Sequence, residues 1–173
     1  MRSMSKWGTI VAALVFGLVT ISVTPVQAAN GYVKADKIVV LKSKRKMVLF
    51  HRGAVMASYR IWLGPNPAGH KAMEGDGRTP EGTYVIDRRR DNSRFYRALG
   101  ISYPNARDRA KAARLGVRPG GQIMIHGTPS SEVELIAARA LGDWTNGCIA
   151  VENHEMEEIW RRVDIGTVIE IRP

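Results

Sequence analysis

The sequence predicts a mainly β domain with a few helices, an α+β class. Short apolar, β-branched runs alternate with turn residues between residues 37 and 64, and a further run, TVIEIR, closes the chain. Runs of this kind, bounded by turn residues, are typical of strands. Two segments nearer the C-terminal end instead repeat apolar residues at helical spacing.

Residues 1–28 predict a secretory signal peptide. Two basic residues precede an apolar run over residues 10–23, and Val26 and Ala28 supply the small residues of a cleavage site. The alternative is a membrane anchor, but the run is shorter than the roughly 20 residues that span a bilayer. We therefore expect residues 29–173 to form one exported domain, large enough to bury a core.

The predicted mature domain is strongly basic. Arg2 and Lys6 are the charged residues of the leader, so 24 basic and 16 acidic residues remain, a net charge of +8. Such a surface attracts polyanions, although a solvated basic face kept for solubility has the same composition. Export and the lack of a zinc-finger or RNA-binding motif argue against nucleic acid.

The first half of the domain predicts strands and one long loop. KIVVLKSKRKMVLFHRGAVMASYRIWLG has turn-like breaks at residues 43–45 and 52–53, which predicts three strands joined by hairpins. GPNPAGHKAMEGDGRTPEG follows, dense in glycine and proline, and then a strand at Thr83–Asp87. A loop of that length in a small domain is usually functional or mobile.

The second half predicts a buried strand, two helices and a final strand. QIMIHG is the strand, ending at His126. Ser131 and Glu134 form a capping box ahead of one helix, and Asn153 is placed to cap the next. The apolar positions that share a face are Val133, Ile136, Ala137, Ala140 and Leu141 in the first helix and Met156, Ile159, Trp160 and Val163 in the second.

Cys148, the one cysteine of the chain, lies in the predicted loop between the two helices, 22 residues after His126. A cysteine nucleophile needs a nearby imidazole to take its proton or to stabilise its thiolate, so we expect a thiol pKa below the roughly 8.5 of a free cysteine. Gly147 permits a tight turn, whose N–H groups are candidates to hold an oxyanion. The alternative is a small buried hydrophobic side chain, as most free cysteines are.

IHGTPS and DWTNGCIAVEN together resemble the signature of the L,D-transpeptidase catalytic domain, the YkuD-type family. GHKAMEGDGRTPEGTYVI and LGISYPN also resemble that family, so the likeness runs from about Lys37 to Arg172. The resemblance implies a β-sandwich catalytic domain that acts outside the cytoplasm on peptidoglycan stem peptides. It implies a cysteine that attacks the carbonyl of the third stem residue, expels the terminal D-alanine and passes the acyl group to an amine.

The resemblance assigns roles residue by residue. Cys148 matches the nucleophile, His126 the base, and Gly127 the residue whose carbonyl orients the histidine. Thr145 and Gly147 match the Ser/Thr and Gly of the motif. The chain departs from the family at two positions: Asn146 stands where the family often has histidine, and Ala150 where it often has arginine or asparagine. These departures bear on substrate choice, since neither side chain carries a charge.

Four further residues are candidate substrate contacts, because they lie in the Gly/Pro-rich loop or in family-like segments: His70, Arg78, Ser102 and Tyr103. Surface or packing roles are the alternative for each. A metal site of His126, Cys148 and His154 lacks the short paired ligand spacing of known sites, so no metal or cofactor is expected.

We therefore expect a periplasmic, wall-associated L,D-transpeptidase that acts through Cys148 and His126, with a wall-anchored protein as a further candidate substrate. One alternative is a hydrolase, either a carboxypeptidase or an amidase, in which water resolves the same acyl-enzyme. The other is a wall-binding module that keeps the fold without the activity, against which the intact Cys-His pair argues.

Overall fold

The structure is a computed structural model that describes residues 31–173, so the predicted signal peptide and its cleavage site lie outside the described residues. Within this range no helix combines the length and the apolar character needed to cross a membrane. The described residues form three helices: α1 (Ala106–Arg114), α2 (Glu132–Leu141) and α3 (Asn153–Arg162). They form eight strands: β1 (Lys37–Leu41), β2 (Lys46–His51), β3 (Ala54–Arg60), β4 (Gly82–Ser93), β5 (Tyr96–Ile101), β6 (Met124–His126), β7 (Ile149–Ala150) and β8 (Val168–Arg172).

The strands form one open sheet in the order β3-β2-β1-β8-β4-β5-β6-β7. The long strand β4 joins its two halves: residues 82–85 pair with β8, and residues 86–93 pair with β5. The short strands β6 and β7 pair in parallel at the far edge. The predicted mainly β class with a few helices is confirmed.

The three N-terminal strands follow the predicted hairpins. β1 pairs antiparallel with β2, and β2 with β3. The second turn contains Arg52 and Gly53, which both have positive φ. Buried residues of these strands share one core cluster with β8, in which Ile38, Met47, Leu49 and Ile169 are all fully buried. Each such side chain contributes on the order of 2 kcal/mol by leaving water.

Several predicted boundaries were wrong. β4 continues six residues beyond Asp87, and β5 and α1 were not predicted. Ser131 is the N-cap residue of α2, but its side chain makes no capping hydrogen bond. Asn153 is the first residue of α3 and does not cap it, because the N-cap is Glu152. The side-chain oxygen of Asn153 instead accepts the N–H of Thr128 at 2.8 Å.

The two predicted helices differ in how they pack. Met156, Ile159 and Val163 of the α3 segment are fully buried, as their spacing indicated. The predicted apolar face of α2 is instead exposed: Val133 is 77% exposed and Leu141 75%, while Ala138 is the buried residue of this helix. α2 therefore contacts the domain through a small side chain and leaves its larger apolar residues at the surface.

Candidate active site

The turn from Thr145 to Cys148 is held by one side chain. The hydroxyl of Thr145 donates to the carbonyl of Cys148 at 2.8 Å and accepts the N–H of Gly147 at 3.2 Å. Gly147 has φ +105°, and a Cβ there would collide with the carbonyl oxygen of Arg78. Two separate constraints therefore require glycine immediately before Cys148.

Strand pairing brings the cysteine turn next to His126. β6 and β7 pair in parallel, with His126 beside Ala150. Cys148 immediately precedes β7, so this pairing fixes the backbone at Cys148 close to the end of β6. Both Cys148 and His126 line one cavity of about 410 Å³.

His126 is held in one tautomer. The residue is 4% exposed, and its Nδ1 lies 2.7 Å from the carbonyl oxygen of Gly127. A carbonyl only accepts, so Nδ1 carries the proton and Nε2 keeps its lone pair. This arrangement suits a general base whose ring is oriented by the backbone.

Two aromatic rings enclose the imidazole. Phe95 stacks on His126 with 4.7 Å between ring centroids and 23° between the planes. Trp144 meets His126 edge-on at 5.7 Å and Phe95 at 5.5 Å. Sequence reasoning missed both residues, although Trp144 lies within the cysteine motif itself.

The pKa values of the pair favour neutral groups. Burial lowers the pKa of His126 to about 4, against the hydrogen bond to Gly127, which raises it. Burial also raises the pKa of the Cys148 thiol, while a backbone hydrogen bond and the charge of Lys71 oppose this. The expectation of a depressed thiol pKa was therefore wrong: burial outweighs the cation, and a neutral imidazole provides no charge.

The Gly/Pro-rich loop is anchored by Asp76. The carboxylate accepts from Lys71 Nζ at 2.8 Å and from the backbone N–H groups of Ala72, Met73 and Arg78. Burial raises the pKa of Asp76, but these hydrogen bonds outweigh it and lower the pKa overall. These hydrogen bonds hold the loop in one conformation and keep the ammonium group of Lys71 buried.

The same loop contacts the cysteine turn directly. Thr79 donates its hydroxyl hydrogen to the carbonyl of Gly147 at 2.9 Å. The backbone of Thr145 donates to the carbonyl of Leu63 at 2.9 Å. Loop and turn thus position Cys148 together.

The wall of the cavity opposite the sheet is provided by α2. Ala137, Ala138 and Leu141 line it, and Arg94 lies 3.5 Å from Glu134 at its rim. Asn146 also lines it and is exposed. The side chains packed on the imidazole are therefore apolar, and the polar side chains of the cavity include those of Arg94, Glu134 and Asn146.

The remaining candidates lie elsewhere. Tyr103 is buried, and its hydroxyl donates to the carbonyl of Pro119 at 3.0 Å. Ser102 accepts the N–H of Val85 at 3.0 Å. His70 lines a different cavity, whereas Arg78 touches the cysteine turn through its backbone carbonyl. None of these four side chains lines the cavity that contains Cys148.

The departure at Ala150 has a structural consequence. Ala150 is fully buried and exchanges two backbone hydrogen bonds with Trp62. A charged side chain at this position would be buried.

In the described part of the chain, no three His, Cys, Asp or Glu side chains are grouped to hold a metal ion.

Comparison with known proteins gives one consistent result. A family model described as the L,D-transpeptidase catalytic domain matches residues 35–171. A curated protein from Escherichia coli K12, named "Putative L,D-transpeptidase YafK", is 30% identical over 132 residues. That match covers 73% of this chain and 46% of the relative, so the chain spans about half the length of its curated relatives.

Solved structures share the fold. The helical cell shape determining protein Pgp2 from Campylobacter jejuni matches with a TM-score of 0.60 at 24% identity, covering 82% of this chain and 49% of that one. Bd1075 from Bdellovibrio bacteriovorus matches with a TM-score of 0.56 at 24% identity, covering 81% and 48%. An L,D-transpeptidase from Xylanimonas cellulosilytica matches with a TM-score of 0.51 at 17% identity, covering 82% and 62%. At these identities the likeness concerns the fold.

Proposed function

This chain belongs to the L,D-transpeptidase catalytic domain family, and from that premise we propose that it is a cysteine acyltransferase acting on peptidoglycan stem peptides. The observation that carries the proposal is the pairing of Cys148 and His126 in one cavity, with the Nδ1 of His126 bonded to Gly127. This geometry leaves the basic nitrogen available in the same cavity as the thiol.

Acylation begins from the neutral pair. The thiol of Cys148 attacks the carbonyl of the third stem residue while Nε2 of His126 accepts its proton. The N–H of Gly147 is already bonded to Thr145, so the backbone N–H of Cys148 is the group of the turn that stabilises the oxyanion of the tetrahedral intermediate. The intermediate collapses, the C–N bond to the terminal D-alanine breaks, and the imidazolium protonates the departing amine.

The second half reaction resolves the thioester. An acceptor amine attacks the carbonyl, His126 takes its proton, and the sulfur leaves and recovers a proton from the imidazolium. The acceptor is the side-chain amine of a neighbouring stem peptide or an amine of a wall-anchored protein. Because both groups start and end neutral, the cycle needs no permanent thiolate.

Hydrolysis is the second candidate function. It is supported by the two positions, Asn146 and Ala150, at which the chain departs from the family motif. Asn146 is uncharged, and Ala150 is buried beside Trp62. These two positions therefore provide no charged group to hold an acceptor. Water in place of the amine turns the same acyl-enzyme into a carboxypeptidase or an amidase.

The test is incubation of the purified protein with tetrapeptide-bearing muropeptides, followed by mass spectrometry. Cross-linked dimers indicate transfer, and tripeptides without dimers indicate hydrolysis. Cys148→Ala is the control for both, because it removes the nucleophile. Products that form equally with this variant would rule out both reactions at this cysteine.

We propose a periplasmic location, with residues 1–28 as the signal peptide and residues 29–173 as the catalytic domain. The support is the leader composition and the wall substrates expected for the family. Mass spectrometry of the exported protein should find Ala29 at its N-terminus. An uncleaved N-terminus would favour a membrane-anchored enzyme.

A further inference from the structure

A second cavity, of about 750 Å³, lies between the start of β4 and helix α1. It shares no lining residue with the cavity that contains Cys148. The proposed acyl transfer therefore leaves it without a role.

Helix α1 presents three cations to this cavity. Arg107, Lys111 and Arg114 line it, and their i, i+4, i+7 spacing places them on one face of the helix. Each residue is exposed, and within residues 31–173 none has a carboxylate oxygen within 4.0 Å. Like charges at this spacing repel, so the stripe lowers the stability of the helix.

Two carboxylates also line the cavity, Glu81 on the β4 side and Asp108 on α1 itself, and both already have partners. Glu81 lies 2.9 Å from the ammonium of Lys42, which is almost fully buried. Asp108 accepts the hydroxyl of Tyr84 at 3.0 Å and the N–H of Asn105 at 3.0 Å. Since Lys42 neutralises Glu81, three cations face the single remaining carboxylate of Asp108, and the cavity keeps a net positive charge.

His70 also lines the cavity and adds no acceptor for the stripe. Its Nδ1 lies 3.0 Å from both the backbone nitrogen and the carbonyl oxygen of Glu81, and its Nε2 lies 3.3 Å from a carboxylate oxygen of Asp108. Because the carboxylate only accepts, Nε2 carries the proton and Nδ1 accepts the N–H of Glu81. The contact at Nε2 further occupies the carboxylate of Asp108.

The floor of the cavity is an open strand edge. Between Gly82 and Tyr84, β4 pairs with β8 on one side, and its pairing with β5 begins only at Ile86. Gly82, Thr83 and Tyr84 all line the cavity. Ile86 bonds toward the β8 side and Val85 bonds Ser102 on the other side, so by alternation Thr83 directs its N–H and C=O to the open edge. No residue of the described range pairs with Thr83 there, which leaves these two backbone groups available to an added strand.

We propose that this cavity binds an acidic peptide segment in extended conformation, which adds to the open edge of β4 and places its carboxylates against Arg107, Lys111 and Arg114. Main-chain hydrogen bonds give such a complex its register, and charge-assisted hydrogen bonds select acidic side chains. A phosphate ligand would use the cations alone and leave the strand edge unused. This inference does not depend on the chemistry of Cys148.

The probe is a fluorescent peptide of three Val-Glu repeats. Its fluorescence anisotropy is measured while the full exported chain is titrated in. Arg107→Gln, Lys111→Gln and Arg114→Gln, combined, should weaken binding at least tenfold. The matched control combines Lys44→Gln, Lys46→Gln and Arg90→Gln, which removes the same charge from exposed positions outside the cavity. This control should change binding less than twofold.

A second probe tests the strand edge separately. The same peptide, N-methylated at alternate backbone nitrogens, keeps its charge but loses donors, and it should bind at least fivefold more weakly. Equal binding of both peptides, or equal loss in both triple variants, would overturn the proposal. So would binding of phosphatidylglycerol vesicles through the same three cations without binding of the peptide.

Discussion

The ring of Phe95 stacks on the imidazole of His126, with 4.7 Å between centroids and 23° between planes. Together with Trp144, it shields the proposed general base from water. The low pKa of His126, about 4, has this burial as its main cause. Phe95 thus acts on the reaction through the histidine.

The first prediction is that Phe95→Leu raises the pKa of His126. The wild-type imidazole is neutral above about pH 5, and turnover should fall as the pH drops through about 4, where the base becomes protonated. Water admitted beside the ring should move this acid limb toward the roughly 6.5 of a free imidazole. The measurement is the pH profile of muropeptide turnover.

The control for this prediction is Tyr96→Phe at the next position, the first residue of β5, where the lost hydroxyl donates to Glu157 at the surface. Its acid limb should coincide with that of the wild type. If Phe95→Leu lowers turnover equally at every pH, the ring has only a packing role.

The second prediction concerns Lys71, whose charge lowers the pKa of the Cys148 thiol against the effect of burial. Lys71→Met removes that charge, so the thiol should need a higher pH to ionise. The midpoint of iodoacetamide alkylation against pH should rise. Lys44→Gln, which removes one charge from an exposed turn, should leave it unchanged. An unshifted midpoint in Lys71→Met would show that the thiol does not sense this ammonium.

The third prediction compares two glycines of positive φ. Gly142 has φ +75° and open space where an added methyl group would lie, whereas a Cβ on Gly147 would meet the carbonyl of Arg78. Gly142→Ala should lower the free energy of unfolding by about 1 kcal/mol through backbone strain alone. Gly147→Ala adds a backbone clash and should cost roughly 3 kcal/mol. Urea denaturation measures both.

The same two variants should also differ in their rate of muropeptide turnover. Displacement of Cys148 by about 1 Å is enough to lower turnover roughly a hundredfold, so Gly147→Ala should be nearly inactive while still folded. Gly142→Ala should keep most of its turnover. Equal activity in the two variants would mean that the turn tolerates the added methyl group.

The sequence predicts correctly those elements in which buried apolar residues recur at a regular spacing along the chain. The hairpin strands β1 to β3 have apolar alternation and turn residues, and α3 has apolar residues at helical spacing, so both were found. Helix α1 carries no such signal, because Asp108 and Ala112 are its buried residues and its other positions are mostly charged. For α2 the apolar spacing predicted the wrong buried face, since its larger apolar residues are exposed.

The candidate site was predicted in part for a similar reason. Cys148 and His126 lie in recognisable motifs, and the parallel pairing of β6 with β7 brings them to one cavity. Phe95 and Trp144 meet only through the tertiary fold, so their spacing in the sequence carries no signal. The thiol pKa likewise depends on burial and on the distance to Lys71, which residue types alone do not give.

Cys148 is proposed to carry the acyl group during turnover, and mass spectrometry of the protein trapped with a tetrapeptide substrate tests this most directly. The peptide containing Cys148 should gain the mass of the acyl tripeptide. Cys148→Ala should show neither adduct nor product, and His126→Asn should form the adduct at least roughly a hundredfold more slowly. Product formation by Cys148→Ala at the wild-type rate would contradict the proposed role of this cysteine.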